Sequence, residues 1–203
     1  MPEIGSCFAG FCSKPVSFLI YLNNYHTSLG FYDKINMLAR LTNIIVLDLW
    51  YKGAFIMKIA MGSDHGGIHL KNQIKEFLES KGYEVIDHGT YTEESCDYPD
   101  FAEKVCKDIT SGESGAEKGI LVCGTGIGIS MAANKCKGIR AALVSDVFSA
   151  KMAAEHNNAN VICMGERVMG SGLAEMMVET FLTTPFAGGR HQRRIDKIMA
   201  LEK

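Results

Sequence analysis

The stretch Ile120-Leu121-Val122-Cys123-Gly124-Thr125-Gly126-Ile127-Gly128-Ile129-Ser130-Met131-Ala132-Ala133-Asn134-Lys135 constrains this chain more than any other. Its apolar run reads as a buried strand. The run passes straight into a cysteine, a glycine-rich turn and a helix. Such a turn presents backbone N–H groups and a positive dipole end, which is where anions bind. A cysteine at that point is placed for a lowered pKa, because a helix N-terminus stabilises the thiolate. One segment thus offers an anion cradle beside a candidate base or nucleophile.

The rest of the chain from residue 57 repeats strand, turn and helix. Strands are expected at Lys58–Gly62, Tyr83–Asp87, Gly119–Cys123, Ile139–Val144 and Asn160–Met164. Helices are expected at Gly67–Lys81, Pro99–Ser111, Ile127–Lys135, Ser149–His156, Gly170–Phe181 and Arg190–Glu202. Leu70, Ile74, Phe77 and Leu78 share one helical face, as do Phe101, Val105 and Ile109. Strict alternation predicts a three-layer αβα, Rossmann-like fold with a five-stranded parallel sheet. Ligands in such sheets bind at the carboxyl ends of the strands. Those ends carry Ser63-Asp64-His65-Gly66-Gly67, Cys123 with its loop, Ser145-Asp146 and Gly165-Glu166-Arg167.

Composition narrows the function. A formal net charge of -2 gives no electrostatic case for nucleic acid or a membrane surface. The odd count of 7 cysteines lacks regular spacing, so reduced thiols and a cytoplasmic location are expected. Cys7 and Cys12 are close in sequence, but without a second pair they make a poor metal motif. Residues 1–56 lack the alternation, and their apolar patches, Val16–Leu22 and Ile44–Trp50, are too short to span a bilayer. The expected organisation is an N-terminal extension over 1–56, outside the catalytic unit, followed by one domain over 57–203. The extension reads either as a segment that packs on the domain or a partner, or as sequence translated ahead of a start at Met57.

Each candidate has a plain structural reading beside the functional one. Gly124-x-Gly126-x-Gly128 lacks the spacing of the dinucleotide fingerprint, which disfavours a dehydrogenase. Taken alone it is a tight turn, and Cys123 alone is a small buried hydrophobe. Asp64-His65 reads as an N-cap followed by an exposed histidine, or as an acid/base pair at the sheet mouth. His156-Asn157-Asn158 reads as a helix C-cap or as part of a site. Arg190 and Arg194, beside His191 and Arg193, read as a solvated face or as a phosphate clamp. His69 and His88 read as surface residues. No histidine stands at a recognisable metal-ligand spacing, so neither metal nor cofactor is expected.

Five segments then converge on one resemblance: Gly62–Gly67, the Cys123–Gly128 loop, Gly138-Ile139-Arg140-Ala141, His156-Asn157-x-x-Asn160-Val161 and Gly188-Gly189-Arg190-His191-Gln192-x-Arg194. In order and spacing they resemble the type B ribose-5-phosphate isomerases, a family that includes the galactose-6-phosphate isomerase subunits. The resemblance covers 57–203. It implies metal-free interconversion of ribose 5-phosphate and ribulose 5-phosphate through a cis-enediolate, in the non-oxidative pentose phosphate pathway. It implies Cys123 as the carbon base, and His156, aided by Thr125, as the acid that opens the furanose ring. It implies Asp64 and His65 as sugar contacts, Asp64 also counting as catalytic. Gly124, Thr125, Gly126, Ile127 and Gly128 would form the substrate loop. Arg190 and Arg194 would clamp the phosphate, with Asn157 and Arg167 in the site. Family members are dimers or dimer pairs, so a C-terminal helix is expected to reach a neighbouring subunit's Cys123. The alternatives are isomerisation of a six-carbon phosphosugar, allose or galactose 6-phosphate, or a non-catalytic phosphosugar-binding module.

Overall fold

The computed structural model describes residues 56–202, so the patches Val16–Leu22 and Ile44–Trp50 lie outside the described residues. Five parallel strands form one sheet in the order β2-β1-β3-β5-β4. They are β1 Lys58–Ser63, β2 Glu84–Asp87, β3 Ala116–Cys123, β4 Ala141–Leu143 and β5 Val161–Gly165. The helices are α1 Ile68–Ser80, α2 Tyr98–Ser111, α3 Ile127–Ala133, α4 Val147–Glu155, α5 Ser171–Thr183 and α6 Arg190–Met199.

The alternation of side chains along the strands builds two cores. Ile59, Met61, Ile120, Val122, Ile162 and Met164 face α1, α4 and α5, where they meet Ile74, Leu78, Ala150, Met177 and Phe181. The intervening Ala60, Leu121, Cys123, Val161 and Cys163 face α2 and α3, against Ala102, Val105, Cys106, Ile129 and Ala133. The three-layer arrangement expected from the sequence is therefore present. Each fully buried aliphatic or aromatic side chain contributes about 1.5–3 kcal/mol of transfer free energy.

The strand order follows from the crossovers. From β1 the chain goes out to β2 on one side and then returns past β1 to β3 on the other. Right-handed crossovers in opposite directions put α1 and α2 on opposite faces. The carboxyl ends of β1 and β3 thus part around a crevice, the switch point of the sheet.

Local chemistry shifts several boundaries. β4 is shorter than the expected 139–144, because Gly138 takes φ 85 and Asn160 holds the next turn, accepting from Arg140 N–H and donating to Gly138 O. α4 begins two residues early, because Asp146 Oδ1 caps it through Ser149 N–H at 2.8 Å and Oδ2 accepts Ser149 Oγ–H. Those bonds hold the Asp146 carboxyl below its ordinary pKa. Asp146 is spent as a cap and does not belong with the polar groups of the crevice.

Candidate functional site

The crevice at the carboxyl edge is built by three loops packed backbone to backbone. Asp64 follows β1 and caps a 3-10 turn, His65–Gly67, accepting Gly66 N–H on Oδ1 at 2.9 Å. The capping reading of Asp64 holds, and the capping carboxyl is also buried at the crevice. Burial pushes its pKa up, against the opposing effects of the Gly66 N–H, the His65 ring and the Arg167 guanidinium. His65 is half-buried, and its Nδ1 lies 3.2 Å from the Cys96 N–H.

Cys123 is the last residue of β3 and is 5% exposed. Its Sγ accepts the Gly126 N–H at 3.1 Å, so the turn folds back onto the sulfur. Gly126 has φ 78, and a Cβ there would lie 2.5 Å from Leu143 Cδ1 and 2.8 Å from Met164 C. Only glycine meets both demands. The loop then lies flat on the end of β5, pinned by Glu166 N–H to Cys123 O at 2.9 Å and Arg167 N–H to Gly124 O at 3.0 Å. Thr125 is exposed, with Oγ1 accepting Ile127 N–H at 3.4 Å. The amides of Gly126 and Ile127 are thereby occupied within the chain. Gly124, Thr125 and Gly128 carry the loop amides left for a ligand oxygen.

Arg167 spans the crevice. Ideal Cβ positions at Gly124 and Gly66 would each lie 3.5 Å from atoms of its side chain. Glu166, expected at this edge, and two residues that sequence reading missed, Tyr98 and Cys96, complete it. Glu166 Oε2 accepts Leu70 N–H at 2.9 Å, capping α1 from the far side of the switch point. The Tyr98 ring covers Gly128, where a Cβ would lie 2.7 Å from Cζ. Cys96 grips His65. None of the three is near its partner in sequence, and local pattern carries no signal for these contacts.

The remaining predicted residues stand at the opposite, amino edge. His156 is the C-cap of α4, with N–H to Met152 O at 2.9 Å, and Asn158 has φ 44, so the capping reading is correct. Arg140 donates from Nε and Nη2 to Asn158 O at 3.0 and 2.7 Å and fixes that turn. Asn157 is exposed. Ala187 N–H donates to Glu155 O at 2.9 Å and brings in α6. The His191 ring stacks on His156, centroids 4.2 Å apart and planes within 8°. Burial, then the neighbouring positive charges of His156, Arg190 and Arg194, lower the His191 pKa. Arg190 and Arg194 are exposed on α6. Among the described residues, no carboxylate pairs with Arg167, Arg190 or Arg194.

The predicted set therefore divides in two. Asp64, His65, Cys123–Gly128 and Arg167 are together, and His156, Asn157, Arg190 and Arg194 are together. β5, running Val161–Gly165 between the two edges, separates them by about 13 Å along the strand. His88 is not a free surface residue, since its Nε2 meets Asp108 Oδ2 at 2.8 Å. His69 is exposed as expected, 3.4 Å from Glu93. No helix among the described residues is long and apolar enough to cross a membrane.

Comparison with known proteins gives a consistent result. Residues 59–198 match the family described as Ribose/Galactose Isomerase. The chain is 47% identical over 146 residues to ribose-5-phosphate isomerase B of Escherichia coli (strain K12), covering 72% of this chain and 97% of that protein. It superposes on the solved ribose-5-phosphate isomerase B of Clostridium thermocellum with a TM-score of 0.70 at 53% identity, covering 72% of this chain and 97% of that one. The Mycoplasma genitalium enzyme, solved with bound ribulose 5-phosphate, gives a TM-score of 0.68 at 46% identity, covering 72% of this chain and 96% of that one.

Proposed function

The chain belongs to the ribose/galactose isomerase family, and on that premise we propose that a site assembled from two copies interconverts ribose 5-phosphate and ribulose 5-phosphate. The protein is a sugar-phosphate isomerase. The observation that carries the two-copy reading is the division of the site. The base and its loop stand at one edge of the sheet, and the ring-opening acid and phosphate clamp stand at the other.

A neighbour's amino edge docked over the crevice joins the halves. Ile127, Met131, Leu143 and Phe148, on the loop and the elements after β3 and β4, are exposed apolar side chains, which supports a subunit face here. Isologous pairing in a homodimer makes two equivalent sites.

The chemistry then follows from the residues. His156 of one copy protonates the ring oxygen as the C1–O bond breaks and the C1 hydroxyl gives up its proton to solvent, with Thr125 of the other holding the opening sugar. The Cys123 thiolate takes the proton from C2 of the open aldose, and the electrons move onto the C1 oxygen. Loop amides of Gly124, Thr125 and Gly128 stabilise the resulting cis-enediolate. Cys123 returns the proton to C1, and the proton of the C2 hydroxyl passes to the C1 oxygen to give the ketose. Asp64 and His65 hold the sugar oxygens. Arg190 and Arg194 grip the phosphate, with Asn157 beside them and Arg167 across the crevice. Binding remote from the reacting carbons orients C1 and C2. No step calls for a metal, and a cysteine base fits a reducing compartment such as the cytoplasm. The test is a coupled assay of purified protein on ribose 5-phosphate and allose 6-phosphate side by side. Turnover of the pentose in preference supports the reading, and preference for the hexose replaces it.

A further inference from the structure

A fully buried lysine lies beneath the carboxyl edge, and the proposed chemistry does not use it. The Lys71 side chain has no exposed surface, and its Nζ sits 2.8 Å from both carboxylate oxygens of Asp87. It also lies 3.4 Å from Thr90 O and over the Tyr91 ring at 4.9 Å. Lys75 approaches the same carboxylate at 3.5 Å. Burying two opposite charges seldom stabilises a fold more than an apolar pair of equal volume. The pair therefore calls for a reason other than stability, and the geometry supplies one.

Asp87 ends β2 and organises the chain that follows. Its Oδ1 accepts Gly89 N–H at 3.0 Å, and its carbonyl accepts the Tyr91 hydroxyl at 2.7 Å. Gly89 rests on the lysine, since a Cβ there would lie 2.8 Å from Lys71 Cδ and 2.8 Å from Ser63 N. Thr90 N–H donates to Ser63 O at 3.1 Å. The segment is thus strapped across the end of β1, one residue before Asp64. It runs on to Cys96, whose N–H donates to His65 Nδ1 at 3.2 Å. Lys71 lies on α1, the helix into which the His65–Gly67 turn leads. One side chain ties together the element that carries His65 and the loop that grips its ring.

The grip has chemical content. An amide N–H can only donate, so Nδ1 is the acceptor and the neutral ring carries its proton on Nε2. The Cys96 carbonyl is 3.3 Å from the same nitrogen, but an amide hydrogen aimed at Nδ1 leaves no room for a second one. We propose that the Lys71–Asp87 pair is a positioning device for His65, holding the Cys96 amide on Nδ1 so that Nε2–H is a fixed donor to a sugar oxygen. The last step rests on the substrate reading above.

Nitrogen NMR of the wild-type protein at mildly alkaline pH reads the His65 tautomer directly and needs no variant. The expected state is Nε2–H, and a proton on Nδ1 overturns the proposal. The double variant Lys71→Met with Asp87→Leu removes both charges and leaves neither unpaired. It is expected to mix the two tautomers and to lower kcat/KM by about tenfold or more through lost positioning. Inhibition by inorganic phosphate should stay within about twofold, because the clamp is at the other edge. A merely structural pair would shift the melting temperature alone. A double variant that keeps the tautomer and keeps kcat/KM within about twofold refutes the positioning role. Wild-type protein inactive on ribose 5-phosphate but holding Nε2–H overturns the substrate reading, not the clamp.

Discussion

Gly165→Ala separates the placement of the Cys123 loop from its chemistry. Gly165 ends β5 beside Cys123, and an added Cβ would lie 2.4 Å from Thr125 C, 2.5 Å from Thr125 Cα and 2.8 Å from Thr125 O. All three atoms are backbone, so no side chain can swing away. Restoring an ordinary contact moves the loop by about 1 Å, a displacement that costs on the order of a hundredfold in rate. That loss corresponds to about 2.7 kcal/mol of barrier. Gly165 does not have positive φ, so the effect is steric and not conformational. Overpacking of this kind costs about 1–3 kcal/mol of stability, and each of those lowers Tm by about 2–4 °C at this size. The protein should remain folded at assay temperature while kcat falls. The control is Gly172→Ala, where a Cβ meets nothing within 4 Å. Near the start of α5 it should be neutral or stabilising by up to about 1 kcal/mol. Steady-state kinetics and calorimetry read both variants. A Gly165→Ala enzyme with kcat within about threefold of wild type would refute the claim that loop position limits the rate.

Cys123→Ala should lower kcat by at least about a hundredfold with an unchanged circular dichroism spectrum, and near-full turnover would remove it as the base. For Asp108, burial alone would raise the pKa, but bonds from His88 and Ser114 outweigh it and leave the carboxyl below its ordinary value. Its stabilising effect is complete above the unfolded carboxylate pKa of about 3.9 and is lost as pH falls through the lower folded value. Asp108→Asn should therefore cost about 1–2 kcal/mol at pH 7 by thermal unfolding and nothing at strongly acid pH; an equal cost at both would contradict this. A chain beginning at Met57 should keep its kcat/KM and Tm, and aggregation or a changed oligomeric state would assign residues 1–56 a structural role.

Much of the fold was legible because period and punctuation agree. β3, its glycine turn and α3 are all local features, and the structure keeps them within a few residues. The switch point at Asp64 and Cys123 follows from the parallel alternation. The strand order, with β5 inserted between β3 and β4, is set by long-range packing that local pattern does not carry. The same holds for Lys71 with Asp87 and for His88 with Asp108, whose partners lie 16 and 20 residues apart. Asp146 was misleading because an N-cap and a strand-end carboxylate look identical in sequence. His191 was passed over because a basic run hides an imidazole stacked on His156.

The shared site is tested most directly by mixing two inactive proteins. Cys123→Ala damages one edge of the sheet and Arg194→Ala the other. If each site takes Cys123 from one copy and Arg194 from its neighbour, a mixed dimer has one doubly damaged site and one intact site. Unfolding and refolding an equal mixture should then restore about a quarter of wild-type activity, since half the dimers are mixed and half their sites are whole. Activity no higher than the average of the two variants alone would place the whole site within one chain and contradict the account.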